Sequence, residues 1–339
     1  YGNTRGGRIV AFRRFEFDVA KWLHPGQTNH LAVCIHRMPQ EMLPYVIQSD
    51  GSPLTAAAGS PGYFPTAIAK TRQVLGHLKS TTNFGWDWGV DIWTLGIWKD
   101  VRLEATGPAY IKWTQVQTEL DDHFQQAKVI VHLHINSVAA LPARVVMHIS
   151  GHGEAVSKTV EVQLNPGDNL VAGQLQLDHP ALWWPNGQGG QPLYELTVQL
   201  ADADGTVMDT RVTRFGVRQI RWEEVEGAPT NFVNRFRLVI NGRPVRTMGS
   251  CLVPPDLLFG RIMERGPKLL ERAKADGMNY LRLWGGGVTL PSHMYDLADQ
   301  LGIMLIQEFP ISIDGMPTDK VFLGNLEKTT RNIVRQLRN

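Results

Sequence analysis

The sequence predicts a protein of several domains, mainly β in its first two thirds and α/β in its last third. A chain of 339 residues is longer than one ordinary domain, so two or three domains are expected. Up to about residue 217, short apolar–polar alternations recur between turn sequences, which is typical of antiparallel sandwiches. After about Arg218, strand and helix patterns alternate, which indicates a parallel sheet covered by helices.

The first segment, residues 1–108, has the pattern of a β-sandwich. Apolar and polar residues alternate at 15–19 and 31–35, and a further strand pattern covers 98–103. Between these strands, residues 38–60 contain three prolines and a run of small residues. A long irregular loop inside a compact domain is usually functional or disordered.

The second segment, residues 109–217, repeats the short-strand pattern. Alternating apolar residues centre on Val131, Met147 and Val198, and turn sequences occupy 165–168 and 202–205. About 100 residues of evenly spaced strands without a helix pattern predict an immunoglobulin-like sandwich.

The third segment, residues 218–339, contains three strand–helix units. Each short apolar strand pattern is followed by an amphipathic pattern of helical period, which is the arrangement of consecutive β/α units. The predicted strands are residues 246–251, 280–284 and 303–309, and the predicted helices are residues 267–275, 291–301 and 323–337.

The composition excludes several classes of function. The net charge is only +2 and Lys and Arg are not clustered, so no nucleic-acid partner is expected. No apolar run approaches the ~18 residues of a membrane span. Cys34 and Cys251 lie far apart, which predicts neither a disulfide nor a metal site. The compartment stays open between periplasmic or secreted and cytoplasmic. Ten tryptophans favour a carbohydrate protein.

Two tryptophan motifs stand out. In the first, Trp86 and Trp88 flank the carboxylate of Asp87, with glycines on either side. Sugars present apolar faces that stack on indoles and hydroxyls that donate to carboxylates, so this motif predicts a sugar site. The alternative is a turn whose tryptophans pack on a neighbouring sheet. The second motif, at Trp183 and Trp184, lies inside the second sandwich, where packing is the favoured role.

The carboxyl ends of the predicted parallel strands supply further candidates. Arg282 and Trp284 occupy alternate positions at the end of the second strand and share one side of it. Glu308 closes the third strand, and Asp256 follows the first. Glu308 is either a pocket residue or the structural partner of an arginine. His293, on the second helix, is interpreted as solvated or packed.

The chain resembles the β-mannosidase branch of glycoside hydrolase family 2 in three motifs, which occur in the order found in that family. Together they span nearly the whole chain. They are Phe-Gly-Trp-Asp-Trp-Gly at 84–89 with Gly-Ile-Trp-Lys-Asp-Val at 96–101, Leu-Trp-Trp-Pro-Asn-Gly at 182–187 with Gln-Pro-Leu-Tyr at 191–194, and Asn-Tyr-Leu-Arg-Leu-Trp-Gly-Gly-Gly at 279–287.

The resemblance implies three domains: a galactose-binding-like jelly roll at 1–108, incomplete at its N-terminus; an immunoglobulin-like sandwich at 109–217; and the first three units of a catalytic (β/α)₈ (TIM) barrel at 218–339. It implies that Trp86 and Asp87 hold the terminal sugar over the barrel mouth, where Arg282 and Trp284 line the same subsite. The implied reaction is retaining, exo-acting hydrolysis of β-linked oligosaccharides or glycosides, without a cofactor or metal.

The sequence also departs from the family pattern. Cys251 replaces the usual asparagine near the first barrel strand, Ile306 a tryptophan, and Glu308 an aspartate. An exo-β-glucosaminidase, another family 2 specificity, or a non-catalytic carbohydrate-binding module therefore remain alternatives.

No residue of the chain is assigned a catalytic role. The Gly-Asn-Glu motif of the acid/base does not occur in the sequence, so both catalytic carboxylates are expected beyond Asn339 and the chain alone is expected to be inactive. Three barrel strands leave two open edges, so the missing part of the barrel or a second copy of the chain is an expected partner.

Overall fold

The structure, a computed structural model, describes residues 15–35, 80, 82, 92, 94, 96–231, 235–309, 311 and 318–337. Within these ranges it contains two antiparallel sheets that share one core, a small antiparallel meander, and a parallel sheet with helices. No helix in the described ranges has the length and apolar character needed to cross a membrane.

The strands predicted in the first segment are not found among the described residues. Residues 15–35 contain only a short 3-10 helix, Ala20–Trp22, and no strand is assigned to residues 96–108. A strand requires a hydrogen-bonded neighbour, and no described residue provides one here. The predictions for 15–19, 31–35 and 98–103 were therefore wrong for this part of the chain, because alternation indicates a buried face but not a pairing partner.

The second segment forms seven antiparallel strands in two sheets, as the alternation predicted. One sheet has the order β1-β2-β5 and the other the order β4-β3-β6-β7. The strands are β1 (Ala109–Leu120), β2 (Gln126–Ser137), β3 (Leu141–Gly151), β4 (Glu154–Leu164), β5 (Gly167–Asp178), β6 (Tyr194–Asp202) and β7 (Val207–Phe215).

The core of these two sheets follows from strict alternation along their central strands. In β2 every second residue from Ala127 to Ser137 is buried, and β3 repeats the pattern from Ala143 to Ile149. Because successive side chains point to opposite faces, a period of two places one whole apolar set between the sheets. Each buried Val, Leu, Ile or Met side chain contributes about 1.5–3 kcal/mol.

A meander connects this sandwich to the parallel sheet. It consists of β8 (Ile220–Glu224), β9 (Phe236–Ile240) and β10 (Arg243–Val245), in the order β10-β9-β8. Its buried residues Leu238 and Ile240 form one apolar cluster with Trp183 of the sandwich and Met304 of the parallel sheet. The sandwich and the parallel sheet therefore pack together through this cluster.

The third segment contains three parallel strands, each followed by a helix. The strands β11 (Gly249–Leu252), β12 (Tyr280–Leu283) and β13 (Met304–Gln307) are neighbours in sequence order. The helices are α1 (Ile262–Ala275), α2 (Ser292–Leu301) and α3 (Lys320–Leu337). The predicted strand–helix alternation is thus confirmed.

Helix α1 begins five residues before the predicted start at Pro267. Its buried residues Ile262, Gly266, Leu270 and Ala273 lie four, four and three positions apart and form one helical face. The apolar face therefore continues through Pro267, and the prediction that the helix starts at this proline was wrong. Helix α3 likewise begins earlier than predicted, where Asp319 Oδ1 accepts hydrogen bonds from the backbone of Val321 and Phe322.

Candidate functional site

Three side chains meet where the parallel strands end. Arg282, in β12, donates from Nε to Glu308 Oε1 at 2.5 Å and from Nη1 to Cys251 Sγ of β11 at 3.2 Å. The parallel register places Cys251 opposite Arg282, and Glu308 follows β13 directly. The structure therefore brings the predicted residues Arg282 and Glu308 into direct contact. The contact with Cys251 was missed, although the register of the first two strands was a signal for it.

Glu308 is engaged through both of its carboxylate oxygens. Oε1 accepts from Arg282, and Oε2 accepts from the backbone N–H of Gly285 at 2.8 Å. The sequence left two roles open for Glu308, as a pocket residue or as the structural partner of an arginine. The geometry shows that it pairs with Arg282. Hydrogen bonds to Cys251 and Glu308 raise the pKa of Arg282, so its guanidinium stays charged. Because the Arg282 side chain is 41% exposed, solvent weakens this ion pair.

Trp284 opens a buried loop, residues 284–290, which we call the rim loop. A Cβ built on Gly286 would lie 2.2 Å from the Trp284 indole, so only glycine lets the ring fold back over the loop. The backbone N–H of Gly287 donates to the Trp284 carbonyl at 3.0 Å. Residues 285–290 are all buried, while Trp284 itself is partly exposed.

Hydrogen bonds attach the rim loop to the helix and strand beside it. The backbone N–H of Leu290 donates to Tyr295 Oη at 3.1 Å, and that hydroxyl donates to Gln307 Oε1 at 2.8 Å. Burial raises the pKa of Tyr295, so the phenol remains protonated and can serve as this donor.

The first segment also contacts the rim loop, at two places. Ser80 Oγ and the backbone N–H of Thr82 donate to the Gly286 carbonyl at 2.9 and 3.3 Å. Lys99 Nζ donates to Thr289 Oγ1 and to the Leu290 carbonyl, both at 3.2 Å. Sequence reasoning did not assign these residues to a site: lone serines and threonines carry no pattern, and Lys99, although part of the motif at 96–101, was given no role of its own.

Asp256 is tied into the turn that precedes the 3-10 helix Phe259–Arg261. Its Oδ1 accepts from the backbone N–H of Leu258 at 2.8 Å, and its Oδ2 lies 3.7 Å from Arg265 Nε. None of its contacts in the described ranges joins it to Arg282. The structure therefore gives Asp256 a local structural role and does not bring it to the predicted pocket residues.

The remaining candidates divide into two groups. Trp86 and Asp87, together with Trp88, lie outside the described residues, so their roles stay predictions. His293 is exposed on α2, in agreement with the solvated interpretation. Among the described residues, no group of three or more His, Cys, Asp or Glu side chains could hold a metal ion.

The second tryptophan motif has the packing role that the sequence favoured. Trp183 is 2% exposed, donates from Nε1 to the Asp299 carbonyl at 2.8 Å, and has the Arg218 guanidinium 4.5 Å from its ring centroid. Burial lowers the pKa of Arg218 and raises the pKa of Asp299 to about 6. Trp183 therefore joins the sandwich to α2 and has no open indole face for a sugar, while Trp184 is half-buried against the same cluster with the Arg243 guanidinium 4.9 Å from its ring centroid.

Asn186 completes that junction. Its Nδ2 donates to the carbonyls of Lys274 and Met278 at 3.0 Å each, and its backbone N–H donates to the Gly302 carbonyl at 2.8 Å. Gly302 ends α2 in the left-handed conformation at φ 76°, and a Cβ there would lie 2.6 Å from the Asn186 nitrogen. The loop of the sandwich is thus bonded to the ends of two helices.

Comparison with known proteins identifies the family signatures in the chain. The family model described as "Glycosyl hydrolase 2 galactose-binding domain-like" matches residues 9–99. The model described as "Glycosyl hydrolases family 2" matches residues 109–218. The two matches follow one another along the chain.

Individual relatives extend the similarity into the parallel sheet. The chain is 33% identical to β-mannosidase B of Aspergillus terreus over 266 residues, which cover 78% of the chain and 30% of that protein. The crystal structure of β-D-mannosidase from Dictyoglomus thermophilum matches with a TM-score of 0.70 and 32% identity, over 77% of this chain and 32% of that one.

A more distant match concerns the fold alone. It is the crystal structure of an exo-chitosanase from Amycolatopsis orientalis, with a TM-score of 0.57 and 22% identity, over 69% of this chain and 27% of that one. The chain spans about 30% of the length of the curated relatives that it matches.

Proposed function

The chain belongs to glycosyl hydrolase family 2, in the branch that contains the β-mannosidases, and from this membership we propose that it is part of a retaining exo-β-glycosidase. The proposed substrates are β-linked oligosaccharides or glycosides with a terminal mannose. The observation that carries the proposal is the charged Arg282, held by Glu308 at the end of a parallel strand and followed by Trp284. The carboxyl ends of parallel strands are where such enzymes bind substrate.

We propose that the chain comprises three domains. The galactose-binding-like match at 9–99 supports a jelly roll over 1–108. The two antiparallel sheets of β1 to β7 support an immunoglobulin-like sandwich over 109–217. The three parallel β/α units support the first part of a TIM barrel over 218–339.

The proposed role of these residues is recognition of the terminal sugar. Arg282 donates hydrogen bonds to sugar hydroxyls, and Trp284 stacks against an apolar face of the ring. Trp86 and Asp87 supply a second indole and a carboxylate from the first domain. Glu308 orients Arg282, because its two oxygens already accept from Arg282 and Gly285.

Catalysis requires groups other than the residues proposed to recognise the sugar. A retaining glycosidase uses two carboxyl groups about 5–5.5 Å apart, one as nucleophile and one as acid and base. Glu308 is engaged in an ion pair, and Asp256 is engaged with Leu258 and Arg265. We therefore assign neither a catalytic role and propose that the 339-residue chain alone does not hydrolyse glycosides.

Substrate specificity is tested with the complete protein that contains this chain. Hydrolysis of p-nitrophenyl β-mannoside is compared with hydrolysis of the β-glucosaminide and β-galactoside. A clear preference for the mannoside supports the proposal. A preference for the glucosaminide supports an exo-β-glucosaminidase, the alternative suggested by the departures from the family pattern at Cys251 and Ile306. Inactivity on all three, combined with measurable binding of mannose, indicates a carbohydrate-binding module instead.

Asp87 provides a sharper test of sugar recognition. We expect Asp87→Ala in the complete protein to lower kcat/KM roughly 10-fold to 100-fold, because losing a hydrogen bond to a charged group costs about 1.5–3 kcal/mol. Asp122→Ala is the control, since Asp122 is exposed in a turn of the sandwich. A loss below about twofold for Asp87→Ala refutes its contact with the sugar.

A further inference from the structure

The rim loop is bonded to the first segment at both of its ends. Near its start, the Gly286 carbonyl accepts from Ser80 Oγ and from the Thr82 backbone. Ser80 and Thr82 are 1% and 0% exposed, and their hydroxyls lie 2.7 Å apart. Near its end, the loop accepts two hydrogen bonds from Lys99. Residues that are 190 to 206 positions distant in sequence therefore hold the loop.

Lys99 is an exposed residue, but its ammonium group is directed to the rim loop. Its ammonium donates to Thr289 Oγ1 and to the Leu290 carbonyl, and it lies 4.9 Å from the centroid of the Trp98 ring. Burial lowers its pKa to about 8. Partial burial of an ammonium group is costly unless its donors are satisfied, and here a hydroxyl, a carbonyl and an aromatic face satisfy them.

Trp98, the residue before this lysine, packs against the core of the third segment. Its ring packs on Phe259 with centroids 5.5 Å apart, and it contacts the apolar cluster that includes Leu283, Val288 and Leu290. Two residues of the rim loop thus belong to the cluster that holds Trp98. This packing holds the backbone next to Lys99 at the loop and places the Trp98 ring under the ammonium group.

We propose that Lys99 is a positioning residue of the sugar site, which holds the rim loop from the first segment and so fixes the orientation of Trp284. The inference rests on the proposed function because it assigns Trp284 to the sugar. It extends that function by making a residue of the first segment a determinant of substrate affinity without any contact to the substrate.

The test compares Lys99→Met and Lys99→Arg in the complete protein. The methionine keeps the length of the side chain but cannot donate, whereas the arginine can still donate to Thr289 and Leu290. We expect Lys99→Met to raise KM for the glycoside about 10-fold, with a smaller change in kcat, and Lys99→Arg to recover most of the loss. Lys158→Met is the control, since Lys158 is exposed on β4 and no contact ties it to the site.

Hydrogen exchange of the rim loop gives a readout that does not depend on activity. The amides of Gly285, Gly287 and Leu290 all donate within the site, so their protection reports the order of the loop. We expect faster exchange in residues 284–290 of Lys99→Met and wild-type exchange in the control. This measurement tests the loop contact even if the complete protein hydrolyses none of the glycosides.

A second variant keeps the proposal falsifiable if Lys99→Met folds poorly. Thr289→Val removes an acceptor from the loop side, and we expect it to raise exchange and KM in the same direction, with little further effect when combined with Lys99→Met. Unchanged exchange in both single variants overturns the proposal. So does faster exchange with unchanged KM in an active enzyme, because the loop would then be held without positioning the sugar.

Discussion

The ion pair between Arg282 and Glu308 gives the clearest prediction for the site. Glu308→Gln keeps the size of the side chain and one acceptor but removes the negative charge beside Arg282. In the wild-type protein Arg282 Nε lies 2.5 Å from Glu308 Oε1, and Gly285 donates to Oε2 at 2.8 Å. In the variant, the side-chain carbonyl oxygen can accept a hydrogen bond from either Gly285 or Arg282. The side-chain NH₂ group then faces the other donor and repels it. We expect the guanidinium to lose its fixed orientation.

The magnitude follows from the hydrogen bond and its exposure. A hydrogen bond to a charged group contributes about 1.5–3 kcal/mol, and the exposed fractions of 41% for Arg282 and 31% for Glu308 place this pair near the lower end. A loss of ~1–1.5 kcal/mol corresponds to about a 5-fold to 10-fold weaker interaction with the sugar. The free energy of unfolding is expected to change by less than about 1 kcal/mol, since Gln fills the same space.

The assay measures kcat and KM of the complete protein on p-nitrophenyl β-mannoside, with urea unfolding as the measure of stability. Glu327→Gln is a matched control, because Glu327 forms an (i, i+4) pair with Arg331 on α3, and both side chains are more than 60% exposed. Wild-type kcat/KM in Glu308→Gln would refute the orienting role of Glu308. An equal loss of kcat/KM in Glu327→Gln would show that the loss follows from the change in the net charge of the protein.

Two further predictions concern the junction between the sandwich and the helices. Asn186→Ala leaves the carbonyls of Lys274 and Met278 without their donor, so we expect the free energy of unfolding to fall by about 1–3 kcal/mol in urea titrations. Burial raises the pKa of Asp299 to about 6, above an unfolded value near 3.9. The folded state therefore binds more protons between these values, and stability falls as the pH rises through this window. Asp299→Asn resembles the protonated form, so we expect it to stabilise the protein by up to about 3 kcal/mol at pH 7 and by much less at pH 4.

Each of these predictions has its own control. Asn165→Ala removes an exposed amide from a turn of the sandwich and is expected to leave the unfolding midpoint unchanged. Stability of Asn186→Ala equal to that of Asn165→Ala would show that the junction does not depend on the amide. Asp204→Asn is the control for Asp299→Asn, since it removes the same charge from an exposed turn of the sandwich. A stabilisation of Asp299→Asn that does not vary between pH 4 and pH 7 would contradict the titration argument.

The secondary structure of the last two segments was predictable because it depends on local patterns. Burial with a period of two marks β2, β3 and β6, and each of these strands was recognised from its own residues. The start of α1 was not recognised, because Pro267 is a common first residue of a helix while the buried face begins at Ile262. The strands expected before residue 109 failed in the described ranges for a different reason, since pairing depends on a partner elsewhere in the chain.

The sequence by itself determined which residue types stand at the ends of the parallel strands, and therefore that Arg282, Trp284 and Glu308 could share a site. Only the tertiary structure decided how they are used. It pairs both oxygens of Glu308, engages Asp256 in a local turn, and buries Trp183 at a junction. It also brings Lys99 to the rim loop across 190 residues. Such contacts depend on distance in space and on which donor finds which acceptor, and no local pattern of residues encodes that pairing.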